Sequence, residues 1–315
     1  MQIIFMGTPD FALPVLEKLA QTDHDLVAVV TQPDRVRGRG RKVSFSPVKK
    51  KALEMGLEVL QPCRVKEPDF IKTLQELKPD LIIVAAFGQI LPEAILTLPK
   101  YGCLNVHASL LPRYRGAAPL QRALMAGEKK TGVTIMLMEQ GLDTGDILTQ
   151  AEVEIPVDYT FSQLHDHLAN KGAELLIKTL PLWVAGEIVP RPQKEEESSY
   201  APPLKKDDEK INWANSAEMI YHQIRGLVPE PGTYTIFRQK PLKIKGSEIY
   251  VCENQKAVPG TVLRLVKGQG FVVQTGQGTL LVKQVQPAGK KTMSAASFIN
   301  GYHLEVGDVF NNPEK

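Results

Sequence analysis

CLNVHASLLPRYRGAAP, residues 103 to 119, is the stretch on which the fold of this chain turns. Its first five residues alternate as a short strand does, and a side-chain period of two puts Asn105 and His107 on the same face. An amide and an imidazole thus point the same way from a segment whose other residues belong in a core. Residues 109 to 119 are too apolar at the start, and too rich in Pro, Gly and Arg, for an ordinary surface helix. An irregular, shaped segment is predicted where the strand ends.

A second apolar run, residues 133 to 138, leads into EQGLDTGD at 139 to 146, where Gly141 and Gly145 permit a sharp turn around Asp143. In open α/β sheets ligands occupy the crevice beyond the carboxyl ends of the strands, and Asn105, His107 and Asp143 are expected to meet there. Each alone has an ordinary explanation: a strand-end amide bonded to nearby backbone, a satisfied buried imidazole, a loop Asx-turn. Their combination makes a candidate site.

Further outward the strand signals repeat. Residues 3–6 and 26–30 are short apolar runs, a helical pattern carries Phe11, Val15, Leu16 and Leu19, helical spacing resumes after Pro47, and LIIVAAF at 81–87 ends in Gly88. A late helix is predicted around 161–180. Strands alternating with helices predict an α/β fold, a Rossmann-like, doubly wound, mostly parallel sheet over residues 1–189. Prolines and clustered charge at 190–209 read as a linker. Residues 210–315 open with a helical stretch and continue with about five short β-like runs punctuated by Gly and Pro, as in a small OB-like β-barrel.

Several functions are disfavoured. The first strand ends in GTPDFA at residues 7–12, without the two further glycines of a dinucleotide fingerprint, and no GxxxxGK[ST] phosphate loop occurs. A nicotinamide or flavin cofactor is therefore not expected. Cys63, Cys103 and Cys252 are too far apart in sequence for a disulfide framework or metal-ligand spacing, and no metal is expected. Cys103 reads as a small buried packing residue. His165 and His167, two apart in a helix, face different ways. No apolar run approaches the roughly 18 residues of a membrane span, and the N-terminus carries no charged region ahead of an apolar core. A soluble, cytoplasmic, monomeric protein is expected.

With a net charge of +3 the chain is only mildly basic, so a polyanion would have to be met by local patches. One such patch is QPDRVRGRGRKVSFSPVKKK, carrying Arg35, Arg37, Arg39, Arg41, Lys42, Lys49, Lys50 and Lys51 against a single Asp34. It is too long for an ordinary connection between strand and helix, and it lies on the ligand side of the predicted sheet. Arginines there can grip phosphates or stack on bases. Lys205 and Lys206 offer a second, smaller basic patch, whereas Glu195 to Glu197 read as a solvated run.

GTPDFA, the QPDRVRGRGRK loop, NVHASLLPRYRGAAP, TGVTIM, GLDTGD and the late QPAGKKTMSA together resemble the folate-dependent formyltransferases, and among them the methionyl-tRNA formyltransferase branch, over nearly the whole chain. Asn-x-His with a distant Asp belongs to the whole superfamily. The basic loop, RYRGAAP and the C-terminal domain are the more specific signals. The resemblance implies that Asn105, His107 and Asp143 are catalytic. It implies a tetrahydrofolate site lined by Ser109, Leu110, Leu111 and Pro112, with Phe87, Gly88, Gln89, Ile90 and Leu91 and the backbone of 137–142 adding to the pterin pocket. It also implies that 10-formyltetrahydrofolate is the donor and methionyl initiator tRNA the acceptor, with Arg39 the loop residue most involved with the tRNA acceptor end. Tyr114 stands where some members carry Trp.

The residue types suit that chemistry independently. Formyl transfer to an amine passes through a tetrahedral species whose oxygen gains negative charge, and Asn105 and His107 can aim N–H donors at it. Asp143 could orient the imidazole, favour its charged form, or hold a water that relays a proton. No nucleophilic side chain is needed, because the substrate amine attacks directly. A small-amine formyltransferase and a non-enzymatic RNA-binding or folate-sensing module are the competing readings.

Overall fold

Short apolar runs closed by Gly, Pro or Asp become the strands of the computed structural model, which describes residues 1–37, 42–252 and 257–312. Two compact units are formed. The first comprises residues 1–119, 130–154 and 165–201, the second residues 120–129, 155–164 and 202 onward.

In chain order the first unit contains β1 (Gln2–Gly7), α1 (Leu13–Leu19), β2 (Asp25–Val30), β3 (Arg35–Arg37), β4 (Lys42–Ser44), α2 (Pro47–Glu54), β5 (Val59–Leu60), α3 (Pro68–Leu77), β6 (Leu81–Ala85), α4 (Glu93–Leu96) and β7 (Cys103–His107). After α5 (Pro119–Met125), most of which lies in the second unit, come β8 (Lys130–Leu137), β9 (Ile147–Glu154) and α6 (Phe161–Val184). Seven strands form one sheet in the order β5-β2-β1-β6-β7-β8-β9. From β5 to β7 every pairing is parallel. β8 runs against both β7 and β9.

β6, and β1 from Ile3 onward, are buried on both faces, so they are apolar there and do not alternate. Ile4, Met6, Val30, Ile82 and Val84 pack with Phe70, Leu74 and Cys103 in one core cluster. Ser46 shows the local logic of the helices: its hydroxyl accepts the Lys49 N–H at 3.0 Å, and Pro47 opens α2 where no donor is required.

Two features depart from the sequence reading. The run at 133–138 is a strand, but it is antiparallel to β7, so the loop after it starts beside Leu104 and not beyond His107. The stretch expected to be a linker divides at Ala201, and residues 190–201 are tied to the first unit by main-chain bonds. Ile147 and Arg191 exchange N–H···O bonds at 2.9 Å, Arg115 N–H donates to Ser199 O at 2.8 Å, and Ala201 N–H donates to Arg115 O at 2.7 Å. Backbone pairing overrides a composition that reads as a tether.

The second unit holds α7 (Ala217–Leu227), β10 (Thr233–Phe237), β11 (Lys240–Tyr250), β12 (Val262–Val266), β13 (Gly270–Gln274), β14 (Thr279–Pro287), β15 (Met293–Ser294) and α8 (Ala295–Tyr302). Its sheet is antiparallel, in the order β10-β11-β14-β13-β12, with β15 on β14. The C-terminal stretch bridges both edge regions, with Ile236 paired to Asn311 and Thr261 to Val309. Trp213, Phe237, Phe271, Phe298 and Phe310 fill the interior. The Trp213 indole N–H donates to Thr235 Oγ1 at 2.9 Å, which satisfies its one buried donor. Buried Arg225 donates to Tyr159 O at 3.2 Å and so holds the 155–164 segment to this unit.

Among the described residues no helix is long and apolar enough to cross a membrane.

Candidate active site

The parallel pairing of β7 with β6 and its antiparallel pairing with β8 fix the two side chains that opened the sequence analysis. Asn105 sits opposite Val84 and Met136, and His107 opposite Thr134. Both project from the same face of β7, and both reach Asp143. Asn105 Nδ2 lies 3.5 Å from Asp143 Oδ1, and His107 Nδ1 lies 3.6 Å from Asp143 Oδ2. The three residues therefore gather at one place, as expected. Because β8 is reversed, Asp143 arrives on the face carrying Asn105 and His107 through a loop that folds back, not from the end of a parallel strand.

His107 is 6% exposed, and its Nε2 lies 3.0 Å from the Tyr114 carbonyl. The ring is thus hydrogen-bonded at Nε2 to the Tyr114 carbonyl, while Nδ1 faces the Asp143 carboxylate at ion-pair distance. Asp143 Oδ2 also accepts the Gly116 N–H at 2.8 Å. Asn105's 3.5 Å contact is at the limit of a hydrogen bond, so its amide keeps donor capacity for an incoming oxygen.

The segment after β7 is shaped from below. Thr134 Oγ1 donates to Ser109 O at 2.7 Å and accepts from Leu111 N at 3.1 Å and from Gln150 Nε2 at 3.0 Å. Ser109 Oγ closes a turn on Arg113 O at 2.6 Å, and Leu111 packs with Met136 and Ile147. Of the residues expected to line a folate pocket, Ser109 and Leu111 thus also serve the loop itself, while Leu110 and Pro112 are half-buried. In the 87–91 loop the Phe87 carbonyl accepts from Thr8 Oγ1 at 3.1 Å and Gln32 Nε2 at 3.3 Å. Phe87 and Leu91 are buried, Gly88 is exposed, and Ile90 is 81% exposed. Gln89 Oε1 accepts the Val65 N–H at 3.0 Å, and its buried Nε2 has no partner among the described residues.

Two residues of the site were not anticipated. Arg115, only 1% exposed, donates from Nε to Gln193 Oε1 at 3.0 Å and from Nη1 to Glu195 Oε2 at 2.7 Å. Gln193 Nε2 in turn donates to the carbonyls of Asp143 at 2.9 Å and Gly145 at 2.7 Å. Arg115 lay within RYRG, where an arginine carries no local sign of burial. Gln193 lay in a proline-rich stretch and carried none.

The basic loop opens as a short ribbon in which β3 and β4 pair Arg35 with Ser44 and Arg37 with Lys42. Arg39 and Arg41 lie outside the described residues. Lys49 anchors the ribbon's base, its ammonium 2.6 Å from both Asp34 Oδ2 and Gln61 Oε1. Lys205 and Lys206, in the second unit, are exposed. Among the described residues no three His, Cys, Asp or Glu side chains cluster as a metal site.

Family models for a formyl transferase and for its C-terminal domain match residues 1–180 and 203–303. The chain belongs to the formyl transferase family. It is 49% identical over 311 residues to the methionyl-tRNA formyltransferase of Moorella thermoacetica, covering 98% of this chain and 99% of that one. It is 48% identical over 316 residues to that of Bacillus subtilis, covering 100% and 99%. Formyl transferase folds are also found among solved structures. An N-formyltransferase from Helicobacter canadensis in complex with folinic acid and dTDP-3-aminofucose aligns with a TM-score of 0.67 at 21% identity, covering 90% of this chain and 98% of that one. Methionyl-tRNA formyltransferase from Clostridium thermocellum aligns with a TM-score of 0.55 at 18% identity, covering 79% and 94%.

Proposed function

We propose that the chain transfers the formyl group of 10-formyltetrahydrofolate to the α-amino group of methionyl initiator tRNA, giving formylmethionyl-tRNA for translation initiation. The observation that carries this reading is near-half identity to methionyl-tRNA formyltransferases over almost the entire length, both domains included. Enzymes acting on small amines have no need of the basic loop that this chain carries between β2 and α2.

In this reading the amine attacks the formyl carbon and the carbonyl oxygen becomes negative. Asn105 Nδ2 donates to that oxygen, and a ring N–H of His107 is the second donor. The tetrahedral species then collapses with cleavage of the bond from the formyl carbon to N10, and tetrahydrofolate leaves with N10 taking up a proton in place of the one the amine loses. Asp143, fixed by the Gly116 N–H, orients the imidazole and leaves it placed to carry the proton that the attacking amine must lose. Ser109 to Pro112 and Phe87 to Leu91 flank the folate, and Arg35, Arg37, Arg39, Arg41, Lys42, Lys205 and Lys206 contact tRNA phosphates. The protein acts as a cytoplasmic monomer.

The test is direct. The protein is incubated with 10-formyltetrahydrofolate and methionine-charged initiator tRNA, with uncharged tRNA, free methionine and an amino-sugar nucleotide as controls. Formylmethionine on the charged tRNA alone is expected, at a rate that falls steeply with added salt because phosphate contacts release counterions. Formylation of the small amine in preference to the tRNA, or no turnover, overturns the reading.

A further inference from the structure

Asp143 occupies a backbone conformation that side chains seldom adopt, with φ at +55°. Asp tolerates this region better than most residues, and the loop is closed at its base by the Leu137 N–H on Asp146 O at 2.8 Å. The carboxylate's contacts to Asn105 and His107, at 3.5 and 3.6 Å, are too long to impose the conformation, and the Gly116 N–H, bonded to Oδ2 at 2.8 Å, holds the carboxylate and not the backbone.

The short contacts come from another part of the chain. One amide group, Gln193 Nε2, spends both N–H bonds on the loop, one on the carbonyl of Asp143 and one on that of Gly145, two residues on. The same side chain's oxygen is occupied by Arg115 Nε at 3.0 Å, so the amide cannot flip without placing its oxygen against two carbonyls. Arg115 belongs to the irregular segment that follows His107, and its own backbone pairs with Ser199 and Ala201. A closed circuit results. The His107 side of the site reaches Arg115 through seven residues of chain, Arg115 orients Gln193, and Gln193 grips two carbonyls of the loop, that of Asp143 itself and that of Gly145.

We infer that Gln193 is a positioning residue for the formyl transfer, holding Asp143 in its left-handed backbone so that the carboxylate faces Asn105 and His107 together. The inference rests on the functional reading above for its kinetic consequence, but its geometric content stands apart. Among the described residues Gln193 makes no hydrogen bond to Asn105 or to the His107 ring; it acts on the site through the loop that carries Asp143.

Two variants separate the amide's donors from its bulk. Gln193→Ala removes the clamp, and Gln193→Glu keeps the shape and the Arg115 contact while turning donors into acceptors. Loss of two ordinary hydrogen bonds predicts that each lowers kcat for methionyl-tRNA about ten- to thirtyfold, with KM for either substrate changed less than about threefold. In an Asp143→Ala background the same replacement should change kcat less than about twofold, because the group it acts through is gone. Independently of turnover, amide exchange at Gly116, whose N–H is held by Asp143 Oδ2, should quicken about tenfold or more in Gln193→Ala while the β6 amides keep their protection.

Unchanged kcat and Gly116 exchange in both variants overturn the inference, as does an equal fold-loss in the presence and absence of Asp143. If the wild-type chain formylates no charged tRNA, the functional reading falls and the Gly116 exchange still decides the role of Gln193. A Gln193→Ala chain that does not fold shifts the decision to Gln193→Glu, whose volume is the same.

Discussion

The two halves of the candidate site are held in opposite ways. Asn105 and His107 stand on β7, a strand hydrogen-bonded on both sides, and their direction follows from backbone pairing that any sequence of that pattern would share. Asp143 stands on a glycine-flanked loop whose backbone, beyond the main-chain bond at its base, is held by the side chain of Gln193, 50 residues away in sequence. A donor on a strand is placed by the sheet. A carboxylate on a loop is placed by whatever reaches it, and that can be read only in three dimensions.

The strand half should give the largest effect when broken. Asn105→Ala should lower kcat by roughly 10²- to 10³-fold, the size of a lost oxyanion donor, in a steady-state formylation assay, while the melting temperature barely moves. Replacements of His107 and Asp143 should be comparably severe and should not add, because groups that act as one unit seldom do. A wild-type rate for Asn105→Ala would remove it from the mechanism.

The loop half can be broken without touching a functional group. A Cβ at Gly145 would collide with the Leu137 carbonyl oxygen, so Gly145→Ala must displace the turn that carries Asp143. A displacement near 1 Å predicts a fall in kcat of up to about 100-fold. Crystallography or amide exchange of the variant should locate the change in residues 139–146, with β7 unmoved; a shift in β7 would mean that the two halves are not supported separately.

Support beneath the strand's exit is measurable as stability. Thr134→Val keeps the shape but leaves Ser109 O and Leu111 N–H, both buried, without their partner. A cost of about 1–3 kcal/mol in denaturant unfolding is expected, together with a smaller loss of rate.

The smallest effect is expected at Cys103, on the same strand as the functional pair. Burial pushes its thiol up to about 12, from 9.0 for the free group. Because the unfolded thiol ionises first, the contribution to stability is complete below pH 9 and is lost as pH rises from about 9 toward 12. At pH 8 iodoacetamide should label exposed Cys63 and spare Cys103 in the native protein. Cys103→Ala should hold kcat within about twofold; a larger loss would give the strand a third working residue.

Much of this was legible beforehand for a stated reason. Period-two alternation placed Asn105 and His107 on one face, and apolar runs located β1, β2, β6 and β7, because burial on a sheet leaves a mark on every residue of a strand. β9, reading ILTQAEVE, escaped notice, since a half-exposed strand mixes polar residues without a clean period. The ribbon of β3 and β4 is too short for any pattern. The direction of β8 could not be read, because an apolar run announces a strand but carries no arrow.

What the chain's own letters determined is the chemistry: an amide and an imidazole two residues apart on a strand, a carboxylate between glycines, and a basic loop. Those depend on local periodicity and residue type, which sequence contains in full. The folded structure alone decided that β8 turns back, that Asp143 therefore reaches the site from across the sheet face, and that Arg115 and Gln193 hold it there. Such contacts join residues tens of positions apart through single hydrogen bonds, and no local pattern in the sequence is altered by whether they form.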